Sequence, residues 1–175
     1  GFAGEEDDAV NYYNLDNEPF LWPHTHRDAR MEQLGTSELI TRTVAYATAA
    51  KEADPNGMVL GPTPWGWSAF FWSGIDVYSG YDPKVTAPDQ DAHDGIPFTA
   101  YYLKKMQEHE DATGERILDY LDLHFYPQSI GIAFDEAGDE NQHALRLRST
   151  RSLWDPTYVD ESWIADTVML IPRMK

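Results

Sequence analysis

Val10-Asn11-Tyr12-Tyr13-Asn14-Leu15-Asp16-Asn17-Glu18-Pro19 is the stretch whose reading decides the fold. Its first six residues are β-prone, and Pro19, which has no N–H to donate, ends any ladder. The stretch therefore reads as a strand with Asp16, Asn17 and Glu18 at its C-terminal tip. Outward from it, the spacing of Ile40, Val44 and Ala47 predicts a helix over Thr36–Ala53, with Thr36 or Ser37 as N-cap and Asp54-Pro55-Asn56-Gly57 as the stop. Met58-Val59-Leu60 reads as a short buried strand closed by Gly61-Pro62. A second helix opens at Pro97, carries Phe98, Tyr102 and Met106 on one stripe, and closes at Thr113-Gly114. Ile117 to Phe125 is the third strand, with His124-Phe125-Tyr126-Pro127 at its exit. A polar loop with Asp135, Glu136, Asp139 and Glu140 is expected next. A last helix is then expected from Asp160, with Trp163 or Ile164, Val168 and Ile171 on one face. Strands alternating with helices predict parallel βαβ units of an α/β fold, either a barrel or a doubly covered sheet.

Composition narrows the function. Thirteen Lys+Arg against 30 Asp+Glu give a net charge of −17 over 175 residues, which repels the phosphates of nucleic acids and anionic membranes alike. No nucleic acid and no membrane is expected as a partner, and no apolar run approaches the roughly 20 residues that span a bilayer. The absence of cysteine excludes disulfides, thiolate metal sites and cysteine nucleophiles. Aromatic residues make up 13% of the chain. Trp65, Trp67, Phe70, Phe71, Trp72, Tyr78 and Tyr81 crowd one long irregular segment, from Thr63 to about Ile96. Flat rings in an acidic chain suit a core and also suit neutral polyol ligands.

In parallel α/β folds the strand C-termini and the loops beyond them form the working face. That rule gathers Asn17 and Glu18 at the first tip with His124 and Tyr126 at the third. Trp22, His24 and His26 leave the first tip, and Trp65 and Trp67 leave the second. A glutamate there can protonate a leaving oxygen, with Asn17 donating to a ligand hydroxyl. Glu18 reads equally as a strand-end carboxylate that caps a loop amide.

The run Asn14-Leu15-Asp16-Asn17-Glu18-Pro19-Phe20-Leu21-Trp22, then Thr25-His26-Arg27-Asp28, Gly61-Pro62, Leu121-Asp122-Leu123-His124-Phe125-Tyr126-Pro127 and the segment Leu153-Trp154-Asp155-Pro156-Thr157-Tyr158 through Ile164 resembles glycoside hydrolase family 44. The resemblance implies a partial (β/α)8 TIM barrel of about three βα units, with residues 1–175 forming part of one catalytic domain. It implies a retaining endo-β-1,4-glucanase acting on cellulose-like, xyloglucan or xylan chains, secreted to the extracellular space. Glu18 is then the general acid/base with Asn17 beside it, His124 and Tyr126 support the subsite, and Trp22, Trp65 and Trp67 are substrate-binding platforms. The alternative is a non-catalytic β-glucan-binding remnant.

A retaining glycosidase needs a second carboxylate as nucleophile, and in the resembled family it follows a strand expected beyond Lys175. No residue of the chain is assigned that role, so a fragment inactive on its own is expected. Asp16 and Asp122 read as hydrogen-bonding groups, and Asp76, Asp82, Asp89, Asp91 and Asp94 as a solvated acidic face. No cofactor is expected for the chemistry. His24, His26 and Asp28 lack a metal-ligand pattern. Glu5-Glu6-Asp7-Asp8 and Asp135-Glu136-Asp139-Glu140 offer oxygen ligands to a structural calcium, or form surface charge.

Overall fold

A computed structural model describes residues 10–175, so the acidic run Glu5-Glu6-Asp7-Asp8 lies outside the described residues. The chain forms two compact units, one ending at His124 and one running from Phe125 to Lys175. The first holds three parallel strands in the order β1 (Tyr12–Asn14), β2 (Met58–Pro62) and β3 (Tyr120–Asp122). Tyr12 pairs with Met58 and Asn14 with Leu60, while Leu60 pairs with Tyr120 and Pro62 with Asp122. Because side chains alternate across a strand, Asn14, Leu60, Pro62 and Asp122 share one face. Val59 and Gly61 share the other. Val59 is fully buried among residues of the flanking helices.

The helices Thr36–Ala53 and Phe98–Thr113 run where the periodicity places them. Leu39, Thr43 and Ala47 form the buried stripe of one, and Phe98, Tyr102 and Met106 that of the other. Gly61 permits the close approach of the second helix, since a Cβ there would stand 3.0 Å from the Tyr102 hydroxyl. Burial pushes that phenol up to about 12. Both outer strands are shorter than the apolar runs that announce them. Beyond their ends, the Leu15 N–H donates to the Leu60 carbonyl at 3.2 Å, the Met58 N–H to the Asn11 carbonyl at 2.9 Å and the Asp119 N–H to the Val59 carbonyl at 2.9 Å.

The first helix is not capped by Thr36 or Ser37. Gly35 is its N-cap, and the Thr36 N–H and hydroxyl both donate to Asp89 Oδ2, at 2.9 and 2.7 Å. Asp89 is itself placed by Asp76, whose carboxylate accepts the N–H groups of Asp89 and Gln90 at 2.8 and 3.1 Å. Asp76 is 0% exposed, and burial raises its carboxyl above the usual range against those two bonds. For Asp76 and Asp89 a solvated acidic face is therefore wrong. They fasten the aromatic segment, which contains the short turns Trp67–Phe70, Gly74–Val77 and Pro88–Asp91.

The second unit departs further from the sequence reading. The expected polar loop leads into a helix, Glu140–Ser149, opened by a capping box in which Asp139 accepts the Gln142 N–H and Gln142 accepts the Asp139 N–H, both at 2.9 Å. The helix expected from Asp160 does not form. Asp160 Oδ1 takes the Ser162 N–H at 3.0 Å and its hydroxyl, while Ser162 Oγ takes the Ile164 N–H at 3.2 Å. These side chains capture amides that a helix would use. Ala165 and Met169, at φ 47° and 34°, turn the backbone left-handed, and only Leu170–Arg173 is helical. Among the described residues no helix is long and apolar enough to cross a membrane.

Candidate active site

Glu18 leaves β1 in the left-handed region, at φ 52° and ψ 55°, which a non-glycine residue adopts only when its surroundings impose it. Three contacts do so. Its N–H donates to the Thr63 carbonyl at 3.0 Å, and its carbonyl accepts the Leu21 N–H at 2.8 Å. Phe20, 0% exposed, anchors the turn with its ring centroid 4.8 Å from that of Phe98 and 6.0 Å from that of Trp65. The chain direction after the strand is thereby fixed by a buried aromatic two residues past the carboxylate.

So held, the Glu18 carboxylate meets His124 at the exit of β3. Glu18 Oε1 lies 2.7 Å from His124 Nδ1, and the two side chains are 20% and 25% exposed. With the carboxylate ionised, Nδ1–H donates to it; with the acid neutral, its O–H donates to an unprotonated Nδ1. The 2.7 Å separation admits a hydrogen bond with the proton on either atom.

Beneath this pair the tips of all three strands are laced together. Thr63, 1% exposed, donates its hydroxyl to Asn14 Oδ1 at 2.9 Å and Asp122 Oδ2 at 3.2 Å. Its N–H donates to the Asp122 carbonyl at 3.0 Å. Asn14 Nδ2 reaches Asp122 Oδ2 at 2.8 Å. The sequence reading singled out neither Thr63 nor Asn14 as part of the site. Their only advance signal is the parity that sets Asn14 and Asp122 on one sheet face.

Asn17 is exposed, its N–H on Asp16 Oδ1 at 2.6 Å. Trp65 and Trp67 flank Gly66, whose own Cβ position would lie 3.9 Å from the His124 carbonyl, so this turn passes directly over the end of β3. Trp65 packs toward Phe20 and Tyr78, and Trp67 edge-on to Phe71 at 4.8 Å. Trp22 is turned toward the helix Thr36–Ala53, with the Arg42 guanidinium 5.6 Å from its ring centroid. There it helps line a pocket of about 170 Å³ with Asp16, Pro19 and Tyr46. The His24 ring lies tilted against Tyr78, their centroids 4.7 Å apart, and His26 Nδ1 meets the Thr25 hydroxyl at 2.8 Å. Tyr126 belongs to the second unit, 46% exposed, its carbonyl accepting from Gln128 at 2.9 Å. The structure thus brings Glu18 to His124 and runs the Trp65-Gly66-Trp67 turn past the His124 carbonyl. It divides the expected His124–Tyr126 pair between the units.

Known proteins extend these findings. The sequence model of glycoside hydrolase family 44 matches residues 2–129. Endoglucanase A of Paenibacillus lautus is 35% identical over 177 residues, which cover 95% of this chain and 24% of that protein. A β-mannanase/endoglucanase A of Caldicellulosiruptor saccharolyticus is 33% identical, covering 95% of this chain and 13% of its own length. Among solved structures, a bifunctional glucanase-xylanase from a metagenome library superposes with a TM-score of 0.86 at 39% identity, over 93% of this chain and 31% of that one. A xyloglucanase of Paenibacillus polymyxa from the same family, solved with xyloglucan, gives 0.75 at 36% identity over 95% and 31%. The chain spans about a quarter or less of the length of these curated relatives and about a third of these structures.

Proposed function

The chain belongs to glycoside hydrolase family 44, and from that premise we propose that it carries the acid/base half of a retaining endo-β-1,4-glucanase, acting on cellulose-like, xyloglucan or xylan chains outside the cell. The observation that carries this reading is the 2.7 Å contact between Glu18 Oε1 and His124 Nδ1 at the tips of two parallel strands. In the first step Glu18 gives its proton to the glycosidic oxygen as the bond from that oxygen to C1 breaks, and a carboxylate on the opposite face of the sugar bonds to C1. In the second, Glu18 takes a proton from water as the water oxygen attacks C1 and releases that carboxylate. Asn17 donates to a sugar hydroxyl, Trp65 and Trp67 offer ring faces, and Trp22 flanks the chain.

The attacking carboxylate is proposed to lie outside these 175 residues. Asp122, the carboxylate at the tip of β3, already accepts from Asn14 and Thr63 and serves as a strut. Residues 1–175 alone are then expected to bind β-glucan without cleaving it.

Glu18→Gln in the complete enzyme tests the assignment. kcat/KM on unactivated β-glucan should fall by about 10²–10⁴-fold, the usual worth of general acid catalysis. A cellobioside with a dinitrophenolate leaving group, which needs no proton, should keep most of its kcat/KM. Equal losses on both would remove Glu18 from the role.

A further inference from the structure

We propose that Thr63 is the positioning residue that aims the Glu18 carboxyl, an inference that rests on Glu18 being the acid/base. Thr63 sits at φ 53°, a left-handed conformation that a β-branched residue strongly disfavours. Its neighbour in the contact, Glu18, is left-handed as well, at φ 52°. The two strained residues are joined by a hydrogen bond of 3.0 Å from the Glu18 N–H to the Thr63 carbonyl. That carbonyl faces Glu18 only because the Thr63 backbone is turned over.

The groups that keep it turned come from two other elements. Asn14 Oδ1 and Asp122 Oδ2 share the Thr63 hydroxyl, and the Asp122 carbonyl takes its N–H. The residue is 1% exposed, so its hydroxyl and N–H have these protein groups rather than bulk water as partners. Without the hydroxyl, the buried Thr63 side chain no longer bonds the exposed Asn14 and the half-buried Asp122, and the backbone is free to relax toward the extended region. The Thr63 carbonyl then turns from the Glu18 N–H, and the carboxyl drifts from the point 2.7 Å from His124 Nδ1 where it is held. Thr63 touches no reacting atom. Its effect is confined to the step in which the Glu18 proton moves.

The test uses the complete enzyme and kcat/KM on two substrates, soluble β-glucan and dinitrophenyl cellobioside. Thr63→Val keeps the shape and removes the hydroxyl. It should lower kcat/KM on β-glucan by about 10–100-fold, the scale of an ångström of misplacement, while the activated substrate stays within about threefold. Thr63→Ser, which restores the donor, should stay within about threefold of wild type on both. Should the valine variant fail to fold, Asp122→Asn disturbs the same lacing from β3 and should show the same selectivity. Equal losses on both substrates, no loss on either, or a serine variant as impaired as valine would each overturn the proposal. Glu18→Gln, run in parallel, separates the failures. If it loses β-glucan activity selectively and Thr63→Val does not, Thr63 alone is misassigned; if it shows no selectivity, the acid/base reading falls and the proposal with it.

Discussion

In the unit ending at His124, Phe20, Leu34, Val59 and Tyr102 are 0% exposed and lie in one apolar cluster between a parallel sheet and two long helices. In the unit from Phe125, four of the nine buried residues are Ser or Asp: Ser152 donates to Asp160 at 2.8 Å, and Asp155 holds the Thr157 N–H and hydroxyl at 2.8 and 2.7 Å. The first is held mainly by area removed from water, which periodic spacing encodes. The second is held by side chains that bond the backbone two residues on, which no period encodes. The acid/base candidate stands on the first kind of scaffold, on rigid strand tips.

The largest effect is expected from the apolar side. Phe20→Ala removes a fully buried ring that meets Phe98 and Trp65, and should destabilise by about 3–5 kcal/mol in urea unfolding followed by tryptophan fluorescence. A loss under about 1 kcal/mol, no more than a surface site costs, would mean the turn after Glu18 is not anchored by burial.

That the long helices were legible follows from this contrast. Phe98, Tyr102 and Met106 repeat at helical spacing because they bury, whereas in the first helix only Ala47 of the expected stripe is buried, Ile40 and Val44 lying partly buried beside the stripe of Leu39 and Thr43. The strands were overcalled because their apolar flanks, such as Ile117 and Leu118, are buried without pairing. The helix Glu140–Ser149 was illegible from period, with only Ser149 buried in it, although Asp139 and Gln142 spell its cap. Glu18 and His124 were legible from the Asn-Glu-Pro and His-x-Tyr patterns. Their contact, across 106 positions, and the role of Thr63 needed the strand order in space.

A smaller effect separates the units by pH. Bonds from the Thr157 N–H and hydroxyl, with the Arg151 guanidinium, pull Asp155 down to about 2. A depressed folded value stabilises above the unfolded value near 3.9 and is lost as pH falls through about 2. Asp76 runs the other way: burial raises it, so its contribution is present below the unfolded value and lost as pH rises through the folded one. A carboxyl NMR titration should place the Asp155 midpoint near 2 and the Asp76 midpoint above that of an exposed aspartate. Asp155→Asn should flatten the acid limb of stability. Like midpoints for the two would erase the contrast.

Glu18→Ala in the complete enzyme, given dinitrophenyl cellobioside and sodium azide, separates a Glu18 that moves the proton from one that attacks the sugar. The activated substrate forms the glycosyl-enzyme without an acid, water then lacks its base, and azide needs none. The account predicts restored turnover with β-cellobiosyl azide as product. An α-azide would make Glu18 the nucleophile, and no restoration by azide would contradict the account.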